Sequence, residues 1–349
     1  MTYQIGYEIE AYGLNARAIR EVIESKGSKF LTPGSDRLYD YLESKRVPTR
    51  CKKMNPTYEH NQSWIAAHDG SLTANNLGPS FEVISPVMYG EAGMREAKRI
   101  HKALVKRGAV THRTAGNHIH MGINHSARWK RMSDKKKAEV GRRLAHVYHF
   151  YQPVIDSLLS NVRCSGVDGR SGSGYGPSTT PINLDRPFGG RCVLNLGSWV
   201  LQGRVEFRQV GNTLKWENIE GMTAIFKAML NVCFNENHVS WRRRFEDFTA
   251  LMRTETKTWD SMVQFLALGS KTVAWGEARI IHLRDRYEVN RDMRNRVLRV
   301  DFSRHARNRD LTYHAHPFEV SLEEFEAAAI RRFGETANRM IRLSGGRLA

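Results

Sequence analysis

The sequence predicts an α+β fold, because strands with two-residue alternation are interspersed with helical stretches and several strands run straight into short turns. Residues 3–11 alternate, with Ile5, Tyr7 and Ile9 on one face, and read as a first strand. A helix is expected from about Asn15 to Lys26, stopped by Gly27. Leu31 to Gln62 is rich in turn residues and reads as an irregular excursion with one short helix near Asp36–Ser44. Strands follow at Ser63–His68 and at Phe81–Ser85, the second closed by Pro86. A helix spans about Gly93 to Arg107 and ends at Gly108, and another strand covers His118–Ile123. Ser133 caps a long helix from about Asp134 to Ser160 that Pro153 should bend or break. Residues 165–190 hold many Gly, Ser and Pro and are expected to form a loop, with a strand region at Val193–Leu196 after it. A strand at Arg204–Val210 precedes a helix from about Glu217 to Asn235. The remainder looks helical, and Ser321-Leu-Glu-Glu324 has the form of a capping box.

Composition narrows the class. The chain has 349 residues, 40% hydrophobic and 26% charged, which suits a globular protein with a sizeable core. No run of about 18 apolar residues is present. The start of the sequence reads as a folded strand and not as a secretion signal, so a cytoplasmic location is expected. Cys51, Cys164, Cys192 and Cys233 are scattered with no C-x-x-C pair, which argues for reduced, mostly buried thiols and against a zinc ribbon. The net charge of +18 favours anionic partners and admits nucleic acid among them. Arginine concentrates late, at Arg242–Arg244 and between Arg279 and Arg309. Gly172-Ser-Gly174-Tyr-Gly176 follows no strand at the spacing a dinucleotide fold needs, and no Gly-Lys-Ser/Thr phosphate loop exists.

The chemistry sits on strands. Residues two apart on a strand share a face, so Glu8 and Glu10 lie together against Tyr7 and Ile9 on the other side. By the same rule His118 and His120 oppose Ile119, Met121 and Ile123, and Arg204, Glu206 and Arg208 oppose Val205 and Phe207. A fourth strand adds Glu82 among Phe81, Val83 and Ile84. Each pair alone suits an ordinary solvated strand face. Placed on neighbouring strands, the acids, imidazoles and arginines would form one polar basin. Carboxylates hold hard divalent cations that bridge polyphosphate oxygens, and arginines neutralise a transferring phosphoryl group or clamp a carboxylate.

These motifs resemble the amidoligase family, relatives of glutamine synthetase and glutamate–cysteine ligase. The resemblance rests on Gly6-Tyr-Glu8-Ile-Glu10, then Asp69-Gly-Ser71-Leu72 and Phe81-Glu82-Val-Ile-Ser-Pro86. It continues through Gly116-Asn-His118-Ile-His120-Met-Gly122 to Gly203-Arg-Val-Glu206-Phe-Arg208, over about residues 3–235. It implies a glutamine synthetase-like antiparallel catalytic sheet with helices packed on one face. It implies a catalytic domain over residues 1–240; residues 241–349 lie beyond the resemblance and are expected to form a basic, mainly helical extension that packs on that domain or forms an acceptor-binding surface.

Carried over position by position, the resemblance makes Glu8, Glu10, Glu82, His118 and Glu206 metal ligands. It places His120, Arg204 and Arg208 at the nucleotide phosphates, with Arg208 also near the transferred phosphoryl group. Asp69 is expected at the acceptor side or as an outer metal ligand, and Arg191 at a substrate carboxylate or phosphate. The implied cofactors are ATP and Mg²⁺, with Mn²⁺ as its substitute. The implied reaction is amide formation from a carboxylate and an amine through an acyl phosphate, the two substrates being an amino acid, a peptide or an anionic polymer. Such an intermediate needs shelter from water, and Gly166–Ser178, with Arg170, is the expected lid.

Two other readings compete. A metal-dependent hydrolase built on His118, His120 and an acid would leave Arg204 and Arg208 without a purpose. A nucleic-acid-binding protein without catalysis would stack bases on Trp241, Trp259, Trp275 or Tyr287 near the arginines, although aromatics at helical spacing are more often core.

Overall fold

A nine-residue strand with both edges available organises the N-terminal half: Gln4–Tyr12, β1. The computed structural model describes residues 3–30, 63–67, 72, 75–112, 115–160, 193–211, 213, 215–234, 258–287 and 291–298. Contacts divide the chain into one unit of Met1–His125 with Arg204–Glu220, and a second of Ser126–Gly203 with Gly221–Ala349. The strands in chain order are β1, β2 (Ile65–Ala67), β3 (Ser80–Ile84), β4 (Met88–Tyr89), β5 (Asn117–Gly122), β6 (Leu194–Asn195) and β7 (Arg204–Phe207).

In the first unit the order across the sheet is β2-β3-β1-β5-β7, with β4 pairing the start of β1. Each of these ladders is antiparallel. The combination of helices with an antiparallel sheet agrees with the α+β class.

Alternation dictates which side of this sheet is dry. Ile5, Tyr7, Ile9 and Ala11 of β1 are buried, as are Phe81 and Val83, Ile119 and Met121, and Val205 and Phe207. The register puts Ile9 opposite Val83, Tyr7 opposite Ile119, and Ile119 opposite Phe207, so these residues form one continuous apolar face. Helices α1 (Ala16–Glu24) and α2 (Gly90–Arg107) pack against each other and contribute buried Ile19, Val22 and Ile23, and Ala97, Ile100 and Leu104. The Asn15 side chain accepts a hydrogen bond from Ala18 N at 2.9 Å and starts α1. Gly108 ends α2 at φ 113°, a conformation that costs glycine little.

Among the described residues, the elements of the second unit are helices apart from the short β6. The unit holds α3 (Ala127–Arg131), α4 (Asp134–Phe150), α5 (Gln152–Ser157), α6 (Trp199–Gln202), the greater part of α7 (Trp216–Phe234), α8 (Trp259–Leu266), α9 (Ser270–Arg286) and α10 (Arg291–Leu298). The long helix expected over Asp134–Ser160 is two helices. Pro153 offers no N–H to the carbonyl four residues back and its ring crowds that turn, so the helix stops at Phe150 and restarts with Pro153 in the first turn of α5. The last carbonyls of α5 are closed by arginines from elsewhere in the unit. Arg294, fully buried, donates to Ser157 O at 3.3 Å and Leu159 O at 3.0 Å, and Arg279 donates to Leu158 O at 3.1 Å.

Trp259 belongs to the core, as its helical spacing suggests, while Trp275 and Tyr287 are half-buried and Trp241 lies outside the described residues. Cys233 is buried, and burial pushes its thiol up, so it is an inert core group; the other cysteines lie outside the described residues. The helix near Asp36–Ser44, the loop at 165–190 and the capping box at Ser321 also lie outside them. No described helix is long and apolar enough to cross a membrane.

Packing of α8 on α9 generates a prediction. A Cβ at Gly276 would lie 2.1 Å from the Trp259 ring, which is 1% exposed and has nowhere to move. Alanine gains about 1 kcal/mol of helix propensity over glycine, but overpacking costs about 1–3 kcal/mol. Gly276→Ala is therefore expected to lower unfolding stability by up to about 2 kcal/mol in urea titration, and a stabilised variant would contradict this packing.

Candidate functional site

The polar face of the first unit's sheet is built row by row. Glu10 pairs with Glu82 across β1 and β3, and Glu8 pairs with His118 across β1 and β5. His120 stands between Gly6 on β1 and Glu206 on β7, and the next row runs from Tyr89 through Gln4 and Gly122 to Arg204. The sheet therefore brings Glu8, Glu10, Glu82, His118, His120, Glu206 and Arg204 onto one face, as the strand periodicity leads one to expect. Arg208 lies just past the end of β7 and turns back to form an ion pair with Glu206. Asp69, Arg191 and Gly166–Ser178 with Arg170 lie outside the described residues.

Glu8 is the hub. Its Oε2 lies 2.7 Å from His118 Nδ1 and its Oε1 lies 2.8 Å from His120 Nε2, so one carboxylate meets both imidazoles. His118 also lies 3.5 Å from Glu10 Oε1 through Nε2 and 3.5 Å from Glu206 Oε1 through Nδ1. Glu10 is buried, and its Oε2 accepts a hydrogen bond from Gly116 N at 2.5 Å. Gly6 lies beside His120, and a Cβ there would meet the His120 Cβ at 3.5 Å, an ordinary contact.

Electrostatics follow from this crowding. Burial alone would raise the Glu8 carboxyl, but the charge of His120 and the hydrogen bonds from both imidazoles outweigh it and hold Glu8 well below the usual carboxylate range. Burial pulls His120 down, yet Glu8, with a smaller contribution from Glu206, overcomes it and raises this imidazole above its ordinary value.

Two groups of side chains could each hold a metal ion: Glu8, His120 and Glu206, and Glu8, Glu82 and His118, with ligand atoms in each group within 4.8 Å of one another. Glu8 belongs to both. Glu10 stands in the same array but in neither group, its carboxylate engaged by the Gly116 N–H. Carboxylate oxygens outnumber ring nitrogens two to one in each group, a donor set suited to hard cations such as Mg²⁺ or Mn²⁺.

Several contributors were not apparent in the sequence. Asn117, 1% exposed, donates from its backbone to Val210 O at 2.8 Å and from Nδ2 to Gly211 O at 3.2 Å, which fixes the segment that follows Arg208. Gln4 donates to the Tyr89 hydroxyl at 2.9 Å, and the Tyr89 ring meets His125 edge-on at the rim of the polar face. Asn117 sits inside a recognised motif, but its role depends on a strand distant in sequence. Tyr89 lies on a two-residue strand, too short to show a period.

This sheet face gathers carboxylates, imidazoles and arginines, groups whose chemistry suits cations and oxyanions. Residues 1–156 match the model of a family described as "putative amidoligase enzyme". No curated protein matches the chain significantly. Glu206 and Arg208 fall outside the matched residues and reach the site through the pairing of β7 with β5.

The Glu8–His120 pair predicts a pH window. A carboxyl lowered by folding contributes stability above its ordinary pKa of about 4.5, lost as pH falls through the lowered value. An imidazole raised by folding contributes below its ordinary pKa of about 6.5, lost as pH rises through the raised value. In EDTA, Glu8→Gln should therefore lower Tm most between about pH 4.5 and 6.5, and the gap should narrow on either side. A gap independent of pH would refute the pairing.

The pinning by Asn117 is testable separately. Asn117→Ala should raise the phenylglyoxal reactivity of Arg208 several-fold relative to Arg204, read by peptide mass spectrometry. An equal rise at both arginines would mean that β7 as a whole has loosened and that Asn117 has no selective role.

Proposed function

We propose that this protein is an ATP-dependent carboxylate–amine ligase that works through an acyl phosphate. The observation that carries this reading is the sharing of Glu8 by two candidate cation groups beside the Glu206–Arg208 pair. The donor set suits Mg²⁺ or Mn²⁺, held by Glu8, His120 and Glu206 on one side and by Glu8, Glu82 and His118 on the other. Such cations neutralise polyphosphate charge and polarise phosphoryl oxygens when bound. Among the chain's own groups, Arg208 is placed to neutralise the oxygens of the transferring phosphoryl group once nucleotide draws it from Glu206. Arg204, exposed at the end of the His120–Glu206 side, is placed for the remaining phosphates.

The reaction has two displacements. A substrate carboxylate oxygen attacks the γ-phosphorus, the bond to the β-phosphate oxygen breaks, and ADP leaves. The amine then attacks the acyl carbon, the bond to phosphate breaks, and the amide forms with loss of one proton from nitrogen. On the resemblance alone, Asp69 is assigned to the acceptor side or to the outer shell of a metal ion, and Arg191 to a substrate carboxylate or phosphate. A hydrolase built on the two histidines would give Arg208 no task, and the ligase reading uses it.

Titration calorimetry with a non-hydrolysable ATP analogue tests the reading. Binding should require Mg²⁺ or Mn²⁺ and weaken at least about tenfold in Glu8→Gln and in Glu206→Gln, consistent with loss of a charged contact. With ATP and a carboxylate substrate, hydroxylamine should trap a hydroxamate in amounts equal to the ADP released. Cation-independent binding, or ADP without hydroxamate across a broad carboxylate panel, would overturn it.

A further inference from the structure

A second charged feature lies in the helical unit and takes no part in the site above. Residues 127–143, which hold α3 and the first part of α4, carry eight arginines and lysines against two carboxylates, Asp134 and Glu139. The net +6 of this short stretch is a third of the chain's +18.

The acids are already engaged. Asp134 pairs with Lys137 at 3.0 Å, and Glu139 pairs with Lys136 at 3.1 Å and with Arg143. No carboxylate pairs with Arg128, Lys130, Arg131, Lys135 or Arg142 among the described residues. Lys130, Arg131 and Lys135 are exposed, and Arg128 and Arg142 are partly so. These cations sit on a firm base. Trp129 is buried against Trp199, with ring centroids 4.9 Å apart, and Trp199 Nε1 donates to Lys137 O at 2.7 Å, tying α6 to α4. The Arg128 guanidinium lies 5.0 Å above the Phe234 ring, which fixes its direction. Lys135 and Arg142, seven residues apart, share one face of α4 at a separation of about 10 Å.

We propose that this face of α3 and α4 binds the phosphate backbone of nucleic acid without reading sequence. A polymer of regularly spaced phosphates needs only spaced cations, and three to four nucleotide steps along one strand cover the interval from Lys135 to Arg142. A specific protein partner needs a desolvated aromatic or aliphatic anchor at its centre, and a membrane surface needs apolar side chains facing outward. The described part of this stretch exposes no large hydrophobic residue, and Trp129 is 3% exposed; on α6, which is tied to α4, Leu201 is 86% exposed but stands as a single apolar side chain. The same lack of exposed rings argues against base stacking and for contact with phosphate alone.

The test uses the full chain and a random-sequence 20-base-pair DNA duplex, labelled for fluorescence anisotropy and titrated at several salt concentrations. The charge-reversed variant Lys130→Glu/Arg131→Glu/Lys135→Glu is compared with a control of equal charge change on α2, Arg95→Glu/Lys102→Glu/Lys106→Glu. The patch variant should lose at least about tenfold in affinity near 0.1 M salt, and its log Kd against log salt slope should be shallower by about 2–3, close to 0.9 per lost phosphate contact. The control should change far less in both respects. No DNA binding by the unaltered protein, equal losses in the two variants, or an unchanged slope in the patch variant would each overturn the proposal. So would tighter binding to phosphatidylserine vesicles or polyglutamate than to DNA, if that binding shows the same dependence on the three residues.

Discussion

Everything at the candidate site depends on Glu8 meeting two imidazoles at once. A carboxylate on a strand presents its oxygens to one face, and β1 lies between the strand that carries Glu82 and the strand that carries both histidines. His118 is its direct cross-strand neighbour and His120 lies one pleat further along, both within hydrogen-bonding reach of the same carboxylate. The buried side of the sheet fixes this arrangement. A slip of β5 by one residue against β1 would move Ile119 and Met121 to the polar side and turn His118 and His120 into the core. The core that stabilises the sheet thus also sets the register of the polar face, and the two cannot be altered independently.

The polar face also has a gradient of accessibility. Glu10 is buried and its carboxylate spends one oxygen on the Gly116 N–H, so it clasps β1 to the start of β5. Glu8 and His120 are partly open, and Arg204 is exposed. Charge that would be costly if buried alone is met at each step by an opposite or hydrogen-bonding partner. A ligand approaching from the open end meets arginine and imidazole before it meets the inner carboxylates. That order suits an anion that brings its own cation.

Much of this was legible in the sequence, for a physical reason. Strand alternation is a local property, so Glu8 with Glu10, and His118 with His120, declare a common face without knowledge of the neighbours. Which strands adjoin is not local, and the pairing of Glu10 with Glu82 or of His120 with Glu206 came only from the sheet. Arg208 was assigned to the strand face, yet it lies past the strand's end and reaches Glu206 through its side chain. The clasp on Glu10 uses a backbone donor, which no residue type reveals. Helices α3 and α6 span 5 and 4 residues, too short to display a helical period. Pro153 did announce a break, although the break falls two residues before it.

The return of β7 to the sheet has a consequence for how the protein is made. β5 ends at Gly122, whereas β7 begins at Arg204, and the second unit's α3 to α6 are synthesised in between. Chains fold from the N-terminus as they leave the ribosome, so β1, β3 and β5 can zip together while Glu206 and Arg208 are still untranslated. Closing the long intervening loop adds little to its entropic cost, because that cost grows only with the logarithm of length. It does impose an order. The nascent chain gathers its acids and imidazoles early and acquires the Glu206–Arg208 pair last, so the array is completed after α3 to α6 have been synthesised and before the rest of the helical unit, from Gly221 onward, has emerged.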